Sequence, residues 1–402
     1  MLLDSQSFKQ KKKVCFLSTF YPRKCGIAVF TKDLVDQLDM LDGFDPAKVI
    51  AVNKGEPVDS YNQNVEWQIR QDEEMDYIQI ANQVNLLKID LINVQHEFGI
   101  FGGEWGNYIL SFLERVKKPV VTTLHTVQPD FEPEKLMVLE RIVTRSKAII
   151  VMGSSAAKII AQYGIPTEKI RVVQHGCPDV PFTFSDNVKP SLDLKGRTVL
   201  CTFGLISRGK GIEYAIQALP SIVAKHPEVL YLIIGETHPE VKKSEDETYR
   251  KSLIALVDEL GMQKHVQFQN CFLPKSELMK YLQATDVYIT PYLGKNQISS
   301  GTLIYALGTG RVVVSTPYLH AQEVLADGRG LFCEFKSPSS IAKMINKLLA
   351  NKSLKRKIEK KAYEYSRSFT WFEVAKEYAK LFNQVIEDDK EEEAIEISAR
   401  NT

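Results

Sequence analysis

Two doubly wound α/β domains in tandem are the fold that this sequence predicts, and three observations predict it. Short β-branched runs alternate with helix-length amphipathic stretches along nearly the whole chain. The alternation stops once, over 175–196, where Pro178, Pro181 and Pro190 fall among polar residues, and then restarts. The length of 402 residues suits two or three domains.

In the first half, strands are expected at 13–19, 48–53, 91–95, 119–124, 148–152 and 170–174, with helices between them such as 29–40, 74–87 and 105–116. Continuous apolar strands separated by helices read as βαβ units around a buried parallel sheet. The 175–196 stretch reads as a linker. Beyond it, strands are expected at 198–206, 229–235, 265–269, 287–290 and 312–315. Helices are expected there at 211–225, 248–260, 275–283, 301–307 and 339–349. A last helix, about 371–388, follows a break at Ser368-Phe369-Thr370 and is assigned back to the first domain. The domains are therefore 1–180 with 371–388, and 190–370, followed by an acidic tail at 389–402 that reads as a solvated, frayed end.

Composition excludes several functions. Lys+Arg total 51 and Asp+Glu 50, a net charge of +1. Without an overall cationic field, sequence-independent nucleic-acid binding is not expected. No apolar run approaches the roughly 20 residues that span a bilayer. The start has lysines without an apolar core behind them, so no secretory signal is expected there. The one obvious basic cluster, Lys9-Gln10-Lys11-Lys12-Lys13, fits a solvated terminus and a membrane-surface contact equally well. The six cysteines are scattered, with no C-x-x-C pair and no His at finger spacing. Reduced thiols in a cytosolic protein are the expectation.

In open α/β sheets, ligands bind beyond the carboxyl ends of the strands. One such place is Thr202-Phe203-Gly204-Leu205-Ile206-Ser207-Arg208-Gly209-Lys210-Gly211, a strand running into a glycine turn with two cations and then a helix. Amides at a helix N-terminus favour anions, and Lys210 adds a full charge. The order of a Walker loop is absent. On its own this segment fits a phosphate site and a solvated turn alike. Gln297-Ile298-Ser299-Ser300-Gly301-Thr302-Leu303 precedes another helix. It fits an ordinary N-cap, or a second anion cradle built on the amides of Ser300, Gly301, Thr302 and Leu303. In the first domain, Cys25-Gly26-Ile27-Ala28 is a glycine turn, where backbone can approach a ligand or simply turn tightly. His96 and His125 fall at strand ends, Glu97 follows His96, and the stretch from Gly99 through Gly102 and Gly103 reads as a mobile glycine loop. His238 follows a strand of the second domain in the same way. There is no G-x-S-x-G elbow, no H-E-x-x-H and no D-x-D after an apolar strand, so no metal site is expected.

Together these segments resemble the GT-B fold, and specifically the retaining glycosyltransferase family 4, over nearly the whole chain. The resemblance rests on the turn at Gly26, His125, the 203–211 turn, the 297–310 segment, the Ala284-Thr285-Asp286-Val287…Pro291 stretch and the return helix from Trp371. It implies two Rossmann-like domains facing a cleft, a nucleoside diphosphate sugar as co-substrate with no cofactor or metal, and retention of anomeric configuration. It places the donor mainly on the carboxyl-terminal domain and the acceptor, a sugar or glycan, mainly on the amino-terminal one. Lys210 and Arg208 would then neutralise the leaving diphosphate, and His125 would contact the donor sugar. Gly26, Gly204, Gln297, Ser299, Ser300, Gly301, Thr302, Leu303 and Tyr305 would line the donor site, with Phe272 and Leu273 near the base. His96, Glu97, Gly102 and Gly103 would position the acceptor.

Three positions depart from the family pattern. Leu205 stands where an arginine is usual, and Gln297 and Tyr305 stand where two glutamates are usual. Tyr305 cannot bind two ribose hydroxyls through a carboxylate. The expected activity is transfer of a hexose from a GDP-mannose or UDP-glucose type of donor to a hydroxyl. A non-catalytic protein of the same fold, binding a glycan or a nucleotide or serving as a transferase subunit, is the alternative that Gln297 and Tyr305 motivate. A sugar-nucleotide epimerase fits the basic turn and linker less well.

Overall fold

The computed structural model describes residues 11–58 and 61–400. Lys9 and Gln10 of the basic cluster lie outside them. The chain forms two units, one running to Gly176 and resuming at Trp371, the other spanning Cys177–Thr370.

The first unit is built on seven strands: β1 (Val14–Ser18), β2 (Lys48–Asn53), β3 (Val65–Arg70), β4 (Leu91–His96), β5 (Val120–Leu124), β6 (Ala148–Val151) and β7 (Ile170–Val172). All pairs are parallel, in the order β3-β2-β1-β4-β5-β6-β7. The central strands β1, β4 and β5 are buried throughout, which is why their apolar runs are continuous. The order runs outward from β1 one way and from β4 the other. Their carboxyl ends therefore flank the point where strand order reverses.

The second unit carries β8 (Thr198–Phe203), β9 (Val229–Ile234), β10 (Val266–Gln269), β11 (Val287–Thr290), β12 (Val312–Ser315) and β13 (Leu331–Phe332). They too are parallel, in the order β10-β9-β8-β11-β12-β13, with the reversal between β8 and β11. Ile212, Ile216 and Leu219 of the helix Ile212–Val223 share its core with Tyr231 and Ile233 of β9.

Several elements differ from expectation. β3 is not among the predicted strands. Its Val65-Glu66-Trp67-Gln68-Ile69-Arg70 alternates polar and apolar because it is an edge strand. The helix expected at 29–40 is Gly26–Leu38, started early by the Cys25 thiol, which accepts the Ala28 N–H at 3.3 Å. The strand expected to reach 206 ends at Phe203, because Gly204 turns the chain at φ 119°. The 175–196 segment is not a loose linker. From Cys177 it belongs to the second unit. Its Ser185 donates to the Asp286 carboxylate at 2.6 Å, and its Lys189 pairs with that group at 2.7 Å. Asp286 also accepts the Val199 N–H at 2.8 Å and meets Lys355 at 3.2 Å. Burial works against this carboxylate, but the Lys355 and Lys189 charges outweigh it and hold its pKa below the usual range.

The last helix runs from Trp371 to Arg400, so the acidic tail is not a frayed end. Tyr378 meets Thr123 at 3.0 Å, and Phe382 packs edge-on against Phe16. Farther along, Glu387 pairs with Lys12, and Asp389 and Glu392 pair with Lys147. No helix among the described residues is long and apolar enough to cross a membrane.

Candidate active site

Three segments of the second unit meet at its strand-order reversal. β8 ends at Phe203 and runs through Gly204 to the turn Arg208–Lys210. β11 ends at Thr290 and continues into Pro291 and Tyr292. The helix Gly301–Gly308 starts after Ser300, whose hydroxyl caps the Leu303 N–H at 3.4 Å. The Lys210 ammonium donates to the Tyr292 hydroxyl at 2.6 Å. That hydroxyl lies 2.8 Å from Thr302 Oγ1, which is 3.3 Å from Ser300 Oγ. Gly204 sits between these groups. A Cβ there would lie 3.1 Å from the Thr302 methyl and 3.3 Å from Lys210 Nζ, on a left-handed backbone that disfavours side chains.

The structure thus brings Lys210, Gly204, Ser300, Gly301 and Thr302 together. It also narrows the expected amide cradle. The Ser300 N–H is taken by Nδ1 of buried His320 at 3.0 Å, and the Leu303 N–H by the Ser300 cap. Gly301 and Thr302 supply the other amides of the first turn, which have no acceptor within the helix. Arg208 is exposed and turned elsewhere, bonded to Glu245 at 2.7 Å and set against the Tyr249 ring. Gln297 donates to the Ser299 carbonyl at 2.9 Å. Leu303 is fully buried, and Tyr305 is buried with its ring 6.3 Å from that of Phe203. Phe272 and Leu273 follow β10, half-buried. His238 caps the helix Pro239–Glu245 through Nδ1.

Tyr292 and His320 are absent from the residues expected from sequence. Tyr292 stands two residues beyond the end of β11, a place where ligand-facing groups belong, but its position alone does not reveal its bond to Lys210.

In the first unit, β4 and β5 are neighbours, and the His125 N–H donates to the His96 carbonyl at 2.9 Å. His125 Nε2 lies 2.8 Å from Gln95 Oε1. The Gln95 amide nitrogen is spent on Asn93 at 2.5 Å, so its oxygen is the acceptor and His125 carries its proton on Nε2. Nδ1 is then a lone-pair acceptor. Burial, with the His175 and His96 rings nearby, pushes the His125 pKa down to about 3. His96 is fully buried, stacked on Phe101 and edge-on to Phe98, and burial pushes it down to about 3 as well. Neither of its ring nitrogens has a hydrogen-bond partner among the described residues. Glu97 accepts from the Thr126 hydroxyl. Burial raises its pKa, against the Thr126 bond, the Gly99 and Phe98 amides and the Lys135 charge.

The glycine loop is held in place rather than loose. Ile100 and Phe101 are buried, and the Gly102 N–H meets the Tyr77 hydroxyl at 3.2 Å. A Cβ on Gly102 would strike the Gln71 carbonyl, and one on Gly103 the Asn107 side chain. These glycines serve close packing. At Gly26, by contrast, a Cβ would meet nothing within 4 Å. Phe30, on the helix that Gly26 starts, packs edge-on against His125, His175 and Trp371 at 4.8, 5.1 and 4.9 Å between ring centres.

Two Rossmann-like parallel sheets, the second with a lysine and a helix N-terminus at its reversal point, define the GT-B class of glycosyltransferases. Sequence comparison agrees: "Glycosyltransferase Family 4" matches residues 26–179, and "Glycosyl transferases group 1" matches residues 184–365. The chain belongs to this family and is a family 4 glycosyltransferase, a class that uses nucleotide sugars. It is 23% identical to an uncharacterised glycosyltransferase of Methanocaldococcus jannaschii, over 75% of this chain and 77% of that protein. It is 24% identical to a D-inositol 3-phosphate glycosyltransferase of Corynebacterium jeikeium, over 63% of this chain and 61% of that one. Among solved structures, HepE of Anabaena with UDP and glucose superposes with a TM-score of 0.74 at 16% identity, covering 93% of this chain and all of the other. A sucrose-phosphate synthase of Thermosynechococcus elongatus superposes at 0.77 and 16% identity, over 94% of this chain and 100% of that one.

Proposed function

We propose that the protein transfers a hexose from a nucleoside diphosphate sugar to a hydroxyl of a sugar or glycan, with retention of configuration. The observation that carries this is the meeting of the Lys210 ammonium, the bare backbone of Gly204 and the first turn of the helix Gly301–Gly308. A diphosphate needs a cation, free amides and room for close approach. Charge grows on the leaving diphosphate as the glycosidic bond breaks, and groups already fixed there lower the barrier without reorganising. The leaving phosphate oxygen takes the acceptor proton on the same face, so no protein nucleophile is required. The second unit is read as the nucleotide-sugar domain and the first as the acceptor domain. His125, neutral and with Nδ1 as an acceptor, suits a sugar hydroxyl. His96, Glu97 and the 99–103 loop are assigned to the acceptor side, Gly26 to backbone approach, and Phe272 and Leu273 to the base. Arg208, which spends its charge on Glu245, contributes only if that pair opens.

The HepE structures hold UDP with glucose and UDP-glucose, which makes UDP-glucose the first donor to try, with GDP-mannose beside it. Lys210→Ala should cut turnover by roughly 10²–10³, the range for removing one fixed stabiliser of transition-state charge. Its thermal midpoint should stay near that of wild type. Unchanged turnover would reject the donor site.

The second reading is a binding protein without turnover. Tyr305 favours it, since it is buried where a ribose-binding carboxylate would otherwise stand. Nucleotide binding measured by calorimetry, with no hydrolysis or transfer from any donor, would favour that reading.

A further inference from the structure

We propose that Tyr292 is the positioning residue for Lys210, holding its ammonium on the nucleoside-diphosphate site; this rests on the donor-site reading above. Lysine is a point charge on a flexible four-carbon stem, and fixing it costs rotamer entropy. The Lys210 ammonium ends on a phenol of the segment that follows β11. The Tyr292 hydroxyl accepts one of its three protons at 2.6 Å, leaving two for a phosphate.

Tyr292 is in turn closely packed. It is 2% exposed and stacks on Tyr318, with ring centres 5.3 Å apart and planes 16° apart. Its chain segment is tied to the basic turn, because the Leu293 N–H donates to the Gly209 carbonyl at 3.0 Å. Gly211 packs so closely on the Pro291 carbonyl that no Cβ fits. On its far side the hydroxyl meets Thr302 Oγ1 at 2.8 Å, in the first turn of the helix Gly301–Gly308. Ammonium, phenol and threonine thus form a chain across the strand-order reversal. Burial opposes ionisation of the phenol, but the Lys210 charge and hydrogen bond outweigh it and bring its pKa below the ordinary value, as a charge-assisted bond does.

Tyr292→Phe keeps the ring and its stacking and removes only the oxygen. Calorimetry with UDP and GDP, and turnover of UDP-glucose or GDP-mannose, read the effect. Diphosphate affinity should fall roughly tenfold, the scale of one hydrogen bond to a charged group. Turnover should fall further than affinity, because the demand on the ammonium grows in the transition state. In a Lys210→Ala background the same change should do nothing more. Thr302→Val, which frees the far side of the phenol, should give a smaller loss that also vanishes without Lys210, and it serves if Tyr292→Phe fails to fold. Wild-type binding and turnover in Tyr292→Phe would overturn the proposal. So would a loss that persists undiminished without Lys210. If Lys210→Ala itself leaves UDP and GDP binding intact, the donor-site reading fails, and Tyr292 has no positioning role.

Discussion

In the first unit the last residue of β4 and the first beyond β5 are neutral imidazoles set among aromatic rings. In the second the residues beyond β8 and β11 are a lysine and a phenol bound to each other. Both sheets are parallel and both reverse strand order at one point. Topology therefore decides where the candidate groups stand and not what they bind. Neutral rings exchange hydrogen bonds with hydroxyls and carry no field, which suits an uncharged carbohydrate. A held ammonium beside a helix N-terminus suits a diphosphate. The contrast extends to stability. The second unit is pinned by a buried charge cluster, while the first buries titratable groups that stay neutral.

The largest effect expected outside the donor site follows from that cluster. Asp286 is 7% exposed and takes both Lys189 and Lys355. Asp286→Asn removes the carboxylate that the two lysines share and leaves Lys189 with Asp186 and Lys355 with Glu359, so the loss should be at most the roughly 3–5 kcal/mol of a buried pair broken from one side. Urea denaturation at neutral pH should register it. A loss near zero would mean that the cluster is solvated enough to be dispensable, and the contrast between the units would fail. The pH dependence has a definite sign. The folded pKa of Asp286 lies below its ordinary 3.8, so its contribution is present above that value and is lost only as pH falls through the lower folded one.

The first unit should lose stability at a higher pH. His96 and His125 fall from 6.5 to about 3 on folding, so the unfolded chain binds their protons first. Their contribution is complete above 6.5 and declines as pH drops toward about 3. At about pH 5.5 each imidazole should cost about 1.4 kcal/mol. Stability measured between neutral pH and about pH 5.5 should fall in wild type, and His96→Leu should remove about half of that slope. A slope unchanged in the variant would show that His96 is not the buried neutral group described here.

How much of this was legible in the sequence follows the range of the interactions involved. The central strands declare themselves through continuous runs such as Val120 to Leu124, because burial on both faces is a local requirement on composition. β3 lies at the edge, and its alternation resembles a turn-flanked polar stretch. At the candidate donor site, the glycine turn and Lys210 are legible because backbone geometry demands them within a few residues. Tyr292 is not, since its partner lies 82 residues away and nothing in Pro291-Tyr292-Leu293 signals a lysine. Arg208 was expected on the phosphate side for a similar reason: Glu245, 37 residues on, takes it in the fold.

The smallest expected effect concerns the acidic end, where composition and structure differ most plainly. A run of carboxylates reads as a frayed tail because like charges repel and the lone Lys390 within it cannot neutralise six of them. The fold supplies the neutralising charge from Lys147, which meets Asp389 at 3.2 Å and Glu392 at 2.6 Å, and from Lys12 at Glu387. These pairs are partly exposed, and such pairs are worth about 0–1 kcal/mol each, less at high salt. Lys147→Met should therefore lower the stability of the first unit by under about 1 kcal/mol in low salt and by less in molar salt. Hydrogen exchange gives the sharper reading. If Lys147 anchors the distal turns, amides near Glu392 should exchange faster in the variant while those near Tyr378, bonded to Thr123 in the core, keep wild-type protection. Equal exchange in both proteins would mean that the helix continues past Ile386 on its own propensity, and that the acidic run needs no partner to stay wound.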